Sequence, residues 1–234
     1  MKLRLLALIV AGCAVAGLPG PASATGGPGD HWIDTTPAGL DVYASSTATV
    51  ELDLNLDGTP DANYALIGQT TIARGDPSDD STNYPGLRPI DGHLDVIDTE
   101  IVSMSLTDGT VTLIAGAGLG QGGVLPASWG AIAEQPTDPA LGDSLFDVYL
   151  ELDLGGGTYA YSQTPIRISS VVDRIPMIAT YDSGPVLITL HDSFQGGNRI
   201  ANLTRLEFTT IVPEPAVLTL LALGGLALIR KRRA

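Results

Sequence analysis

The sequence predicts an all-β fold, an antiparallel two-sheet β-sandwich of jelly-roll type, and three observations carry that expectation. The 28 glycines and 16 prolines among 234 residues interrupt helices too often for a helix-rich protein. Short runs rich in Val, Ile, Thr and Tyr recur between Gly, Asp and Pro clusters. The clearest is 146–154, in which every even position is apolar and Asp147, Glu151 and Asp153 are charged, the period of two expected of a strand with one wet face. No interior segment shows sustained helical periodicity, and only 128–134 reads as a single helical turn.

The chain opens with Lys2 and Arg4 ahead of an apolar run, 5–16, which leads to Ala22-Ser23-Ala24. A basic head, a short apolar centre and small residues at positions −3 and −1 are what the secretory translocon and signal peptidase read. Residues 1–24 are therefore expected to form a signal helix, with Ala22 and Ala24 marking cleavage after Ala24. Val10-Ala11-Gly12-Cys13 also resembles a lipobox, in which Cys13 is acylated. The short apolar centre before Cys13 and the Ala-x-Ala site after it favour the later cleavage. Cys13 is the sole cysteine, so a chain cut after Ala24 has no disulfide, no thiol nucleophile and no Cys-ligated metal. Residues 25–40, which begin Thr25-Gly26-Gly27-Pro28-Gly29, read as a flexible leader.

The body, 41–212, is long enough for one sandwich with a substantial core. Strands are expected at 42–54, 64–72, 96–106, 110–115, 146–154, 158–161, 166–172, 186–190 and 206–211. Two of them share a pattern. Val50-Glu51-Leu52-Asp53-Leu54 and Leu150-Glu151-Leu152-Asp153-Leu154 each run into a Gly-containing turn and then a Tyr-Ala pair, at Tyr64-Ala65 and Tyr159-Ala160. Both read as strand, turn, strand, and only the first carries acidic and amide residues in its turn.

That turn is the main candidate for metal chemistry. Asp53, Asn55, Asp57, Thr59 and Asp61 stand at positions 1, 3, 5, 7 and 9 of a D-x-N-x-D-G-x-x-D run, with Gly58 at position 6 to permit the turn. Over these nine residues it resembles the Asp/Asn-rich calcium loops of dockerin-like and thrombospondin-type repeats. Position 12 is Tyr64 where an EF-hand has a bidentate Glu, so one strong ligand for Ca²⁺ is missing. The same residues also read as a turn without an ion, because Asp57-Gly58 alone makes a hairpin.

Other polar clusters point to less. Residues 75–83 read as a solvated loop. His93 beside Asp91 and Asp95, and His191-Asp192-Ser193, place triad residue types side by side, but neighbours in a strand face opposite ways. Residues 116–123 are Gly-rich yet lack the Lys and following helix of a phosphate loop. No nucleophile elbow or H-E-x-x-H is present, and no pair of carboxylates stands out for glycoside hydrolysis. Trp32 and Trp129 offer indoles that could stack on sugars or pack a core.

The C-terminal segment, 213–234, is the most specific signal. Pro213-Glu214-Pro215 leads into 216–229, an apolar run without a charge, and then Arg230, Lys231, Arg232 and Arg233. A transmembrane helix is expected here. Its fourteen residues span roughly 21 Å at 1.5 Å per residue, short of the ~30 Å hydrocarbon core, but the four cations can snorkel at the cytoplasmic face and fix the orientation. With the N-terminal signal, this order resembles the PEP-CTERM sorting signal of bacterial surface proteins. The resemblance implies that Pro213, Glu214 and Pro215 are recognised by an exosortase, which removes the tail after transient anchoring in the inner membrane. It also implies association with exopolysaccharide or the cell surface. It covers the tail alone and leaves the body's activity unspecified.

Between these ends lie 25 of the 26 acidic residues, against six arginines and no lysine. Nucleic acid is excluded as a partner, since phosphate binding needs cations to displace counterions. The expected protein is an exported, acidic, non-enzymatic surface or matrix component. A carbohydrate-binding or carbohydrate-active domain is the alternative.

Overall fold

The computed structural model describes residues 32–85 and 96–211. The expected signal and tail helices, with Cys13, His93, the cleavage site and the sorting residues, lie outside them.

Twelve strands form: β1 (Gly39–Asp53), β2 (Ala62–Arg74), β3 (Val96–Thr107), β4 (Thr112–Ala115), β5 (Ser128–Gln135), β6 (Asp138–Val148), β7 (Leu150–Asp153), β8 (Tyr159–Ser162), β9 (Ile166–Val172), β10 (Thr180–Asp182), β11 (Ile188–His191) and β12 (Arg199–Thr209). All pairings are antiparallel, and all twelve strands belong to one sheet. There is no helix among the described residues, so the all-β expectation holds. The two separate sheets of a jelly-roll sandwich do not form. Instead β12 returns to pair with β1, with Thr47 opposite Thr209 and Val50 opposite Leu206, and the sheet closes on itself.

The closed sheet is an up-and-down barrel of eight staves. β4 and β5 are one stave interrupted by 116–127, since both pair with β3, Met104 opposite Ala115 and Ile101 opposite Ser128. β6 and β7 form the next, broken only at Tyr149, followed by β8 with β9 and then β10 with β11. Closure gives every stave a hydrogen-bonded neighbour on both sides, although β12 pairs only 47–53 of β1 and β9 meets β10 at the single pair Ser169 and Asp182.

Period-two alternation explains the interior. Val50, Leu52, Leu66, Ile72, Ile101, Leu106, Leu113, Phe146, Leu150, Ile168, Leu203 and Phe208 all point inward and belong to one continuous core. Eight staves give an interior just wide enough for side chains to fill.

Several further expectations change: β6 already starts at Asp138, β10 (Thr180–Asp182) has no expected counterpart, and β12 starts at Arg199 rather than at 206. Residues 128–134, expected as a helical turn, form β5. Its alternation is hidden because both faces are covered past Trp129: Ile132 packs in the main core while Ala131 and Ala133 pack outside it with Val96 and Tyr84. Gly130 is required there, since a Cβ would lie 2.4 Å from the Phe146 ring and 2.6 Å from the Leu145 carbonyl oxygen. Of the expected leader, 32–40 is ordered structure. Trp32 and Ile33 are buried in a turn that plugs one end of the barrel, with the indole beside Gly142 and Ile132, and β1 already begins at Gly39.

Candidate functional site

The staves give the barrel two unlike ends. Four connections, 54–61, 108–111, 154–158 and 192–198, lie together at one end. The Trp32 turn and 173–179 lie at the other.

The Asp53–Asp61 turn sits at the hairpin end. Asp53 is fully buried and accepts hydrogen bonds from Asn202 Nδ2 (2.7 Å), Gly58 N (2.8 Å) and Asp57 N (3.1 Å). Burial pushes its pKa up, but the Asn202 amide and the N–H groups of Gly58, Leu56 and Asp57 outweigh burial and hold it below the usual carboxylate value. Asp57 accepts from Thr59 Oγ1 and from Thr59 N (2.8 Å), which likewise hold its pKa down. Asn55 Oδ1 accepts from Asp57 N (2.9 Å), and Asp61 accepts from Leu54 N (2.9 Å) and Asn55 N (3.0 Å). The five predicted residues are thus brought into one loop, in which the Asp carboxylates and the Asn55 side-chain oxygen accept the loop's own N–H groups, Asp53 also accepts from Asn202 of β12, and the Thr59 hydroxyl donates to Asp57. Among the described residues no group of three or more His, Cys, Asp or Glu is arranged to hold a metal ion.

The two similar hairpins both form at this end, in different registers. Tyr64 lies opposite Val50, whereas Tyr159 lies opposite Asp153. The first turn takes a left-handed residue at Leu56 (φ 68°), and the second runs through Gly155, Gly156 and Gly157, all with positive φ.

His191, Asp192 and Ser193 close the β11–β12 hairpin. His191 Nδ1 is 3.0 Å from the Gly197 carbonyl, and Asp192 accepts from Asn198 N (2.7 Å) and Nδ2 (3.0 Å), which hold its pKa down. Ser193 Oγ donates weakly to Gln195 O (3.4 Å). Each partner is a hairpin atom rather than another member of a triad. In the 75–83 loop, Asp98 of β3 accepts from Ser81 Oγ and Thr82 N (2.8 Å), so the loop is tied to the barrel wall.

The tryptophans divide. Trp32 is 2% exposed and cannot meet a ligand, whereas Trp129 is 46% exposed on the outer wall. Register places Trp129 opposite Glu100 on β3 and next to Asp147 on β6, while Arg167 of β9 lies opposite Asp147. Arg167 grips Asp147 through Nε (2.9 Å) and Nη2 (2.7 Å), and its guanidinium lies 5.5 Å from the Tyr84 ring centroid. Tyr84 Oη donates to the Trp129 carbonyl (3.0 Å). The result is an outer-wall strip with a half-exposed indole flanked by Glu100 and by the Arg167-bound Asp147.

One polar group escaped the sequence reading. Glu151 fits the wet face of 146–154, yet it is 1% exposed because 116–127 folds over it. It accepts from Gln121 N (2.6 Å). Burial and the neighbouring Glu151 carboxylate push the Tyr161 phenol up to about 12. A cleft of about 340 Å³ opens beside them, lined by Gln121, Val124, Tyr161, Asp192, Ser193 and Phe194. The five glycines of 116–123, all with positive φ, are the visible signal that this segment bends sharply enough to lie on the wall.

No family model matches the chain, and no curated protein matches it. The chain is similar in fold to the solved structure of DynF from the dynemicin biosynthesis pathway of Micromonospora chersina, with a TM-score of 0.56 and 16% identity over 81% of this chain and 85% of that one. At that identity the similarity concerns the fold alone.

Proposed function

We propose that this protein is an exported, acidic, non-enzymatic component of the bacterial surface or extracellular matrix, carried out by its signal peptide and sorted through its C-terminal segment. The observation that carries the reading is the ordered tail: Pro213-Glu214-Pro215, the uncharged run 216–229 and the cluster Arg230 to Arg233, paired with the N-terminal signal ending at Ala24. Sec machinery and signal peptidase process the front, and an exosortase acts at the tail while it anchors in the inner membrane. Replacing Pro213 and Pro215 by Ala and following tail removal by mass spectrometry tests this. Retention of the tail is expected, and unchanged processing overturns the sorting role.

The exposed Trp129 face favours a second reading, a carbohydrate-binding wall. An indole face is matched to the C–H face of a pyranose, and Glu100 stands one strand spacing away to accept a sugar hydroxyl, with the Arg167–Asp147 pair on the other side. A glycan array discriminates: binding that Trp129→Ala abolishes supports a lectin, and release of shortened glycan supports an enzyme.

A further inference from the structure

In a chain so rich in carboxylates, one side of the barrel wall carries none. The outward positions of β1 from Leu40 to Thr49 and of β2 from Ala65 to Ala73 are all uncharged. The one charged residue in either stretch, Asp41, turns inward and pairs with Arg74 at 3.0 Å. Leu40 (63% exposed), Val42 (55%) and Ile67 (55%) stand out from this wall. Across the β1–β12 seam it continues through Thr209 to Ile211 (40%), and across β10 through Thr180 to Ile178 (55%). Charge resumes at the borders, with Glu51, Glu207 and Asp182 towards the hairpin end, Asp76 bonded to Ala38 N just before Leu40, the Asp173–Arg174 pair in the chain before Ile178, and Glu100 opposite Ala73. An uncharged wall studded with exposed apolar side chains, on a body otherwise rich in carboxylates, fits a contact surface.

Where the chain leaves the barrel identifies the contact. β12 runs antiparallel to β1, so past Thr209 it heads towards the part of β1 that bears Val42 and Leu40. Only 212–215 separate Ile211 from the apolar run 216–229, and four residues reach at most about 14 Å. We infer that this uncharged wall rests on the lipid surface while the tail is inserted. Carboxylates against a bilayer lose hydration and are repelled by anionic headgroups, and this is the side of the molecule that avoids both costs. Leu40, Val42, Ile178 and Ile211 enter the interfacial zone as the apolar face of a peripheral protein does. The acidic hairpin end then points away from the membrane. This orientation rests on the tail being membrane-inserted.

The test uses the chain from Thr25 to Ala234, which has no cysteine of its own, carrying either Val42→Cys or, at the hairpin end, Gly156→Cys, each labelled with an environment-sensitive fluorophore. The protein is reconstituted into phosphatidylcholine–phosphatidylglycerol vesicles with and without nitroxide lipid. The expected result is flotation with the vesicles and quenching about threefold stronger at position 42 than at 156, as interfacial burial of one site alone produces. Flotation with equal quenching at both positions overturns the orientation and leaves the tail reading standing. No flotation overturns the tail reading, and the orientation with it. A blue shift at position 42 that grows with protein concentration without vesicles assigns the wall to a second copy and overturns the lipid contact.

Discussion

At the hairpin end of the barrel, aspartates close short connections by accepting N–H groups a few residues away: Asp57 from Thr59, Asp108 from Thr110 and Val111, Asp192 from Asn198. At the opposite end the closure is long-range. Trp32 and Ile33 fill the opening, Tyr43 Oη accepts from Met177 N at 2.9 Å across 134 residues of sequence, and Arg74 joins Asp41 to the Pro37 carbonyl. The first end is assembled from independent turns, so damage there stays local. The second is a single arrangement that the whole barrel must form together. Asp53 straddles the distinction, serving its own loop and also Asn202, 149 residues away.

The comparison is sharpened most by Trp32→Ala, which removes the plug and should cost about 4 kcal/mol by urea denaturation, within the range for deleting a buried aromatic side chain. A loss as small as that of a hairpin substitution would mean that the plug is dispensable. Next comes Arg74→Met, which strands the buried Asp41 carboxylate and should cost about 3 kcal/mol. Adding Asp41→Leu to that variant should restore most of the loss, since replacing both partners leaves no charge buried alone. No recovery in the double variant would show that Arg74 acts through packing rather than charge.

Smaller effects test the hairpin end. Asp53→Ala should lower Tm by several degrees and exceed both Asp57→Ala and Asp192→Ala, because only Asp53 bridges to another stave; equal shifts would remove its special place. The two ends should also respond to acid with opposite sign. Asp53, Asp57, Asp108 and Asp192 are held below 3.8 in the folded chain, so their contribution is complete above that value and is lost as pH falls through their folded values. Burial raises Asp41 above 3.8 despite Arg74, so acidification through its folded value favours the native state. Asp53→Asn should flatten the fall of Tm below pH 3.8, whereas Asp41→Asn should leave it in place. The smallest expected effect is that of calcium: millimolar Ca²⁺ should leave the parent Tm unchanged, since amides already occupy the loop's carboxylates. A rise abolished by Asp57→Ala would establish an ion site.

Local pattern made the strands at 42–54, 64–72 and 166–172 legible, because alternation there reports one buried face. It failed at β5, where Tyr84 covers the outer face, and at Glu151, where 116–127 lies over a position whose neighbours are wet. It failed again at Trp32, since a Gly-rich approach conceals that two apolar residues turn back into the barrel. Of the candidate site, the spacing of Asp53 to Asp61 made one connection between β1 and β2 legible, not what its oxygens bind. The direction in which their oxygens turn depends on φ/ψ at Leu56 and Gly58 and on an asparagine from the last strand.

The sequence by itself determined that the chain is β, which side chains face inward on most strands, which residues form the turns, and that apolar segments with basic flanks stand at both ends. Tertiary structure alone decided that one sheet closes into a barrel, that one wall of it lacks charge, and which tryptophan is free. The physical reason is range. Periodicity and turn chemistry act between residues a few positions apart, whereas closure is made by β1 pairing with β12, and the exposure of any outward residue depends on what distant segment is laid over it.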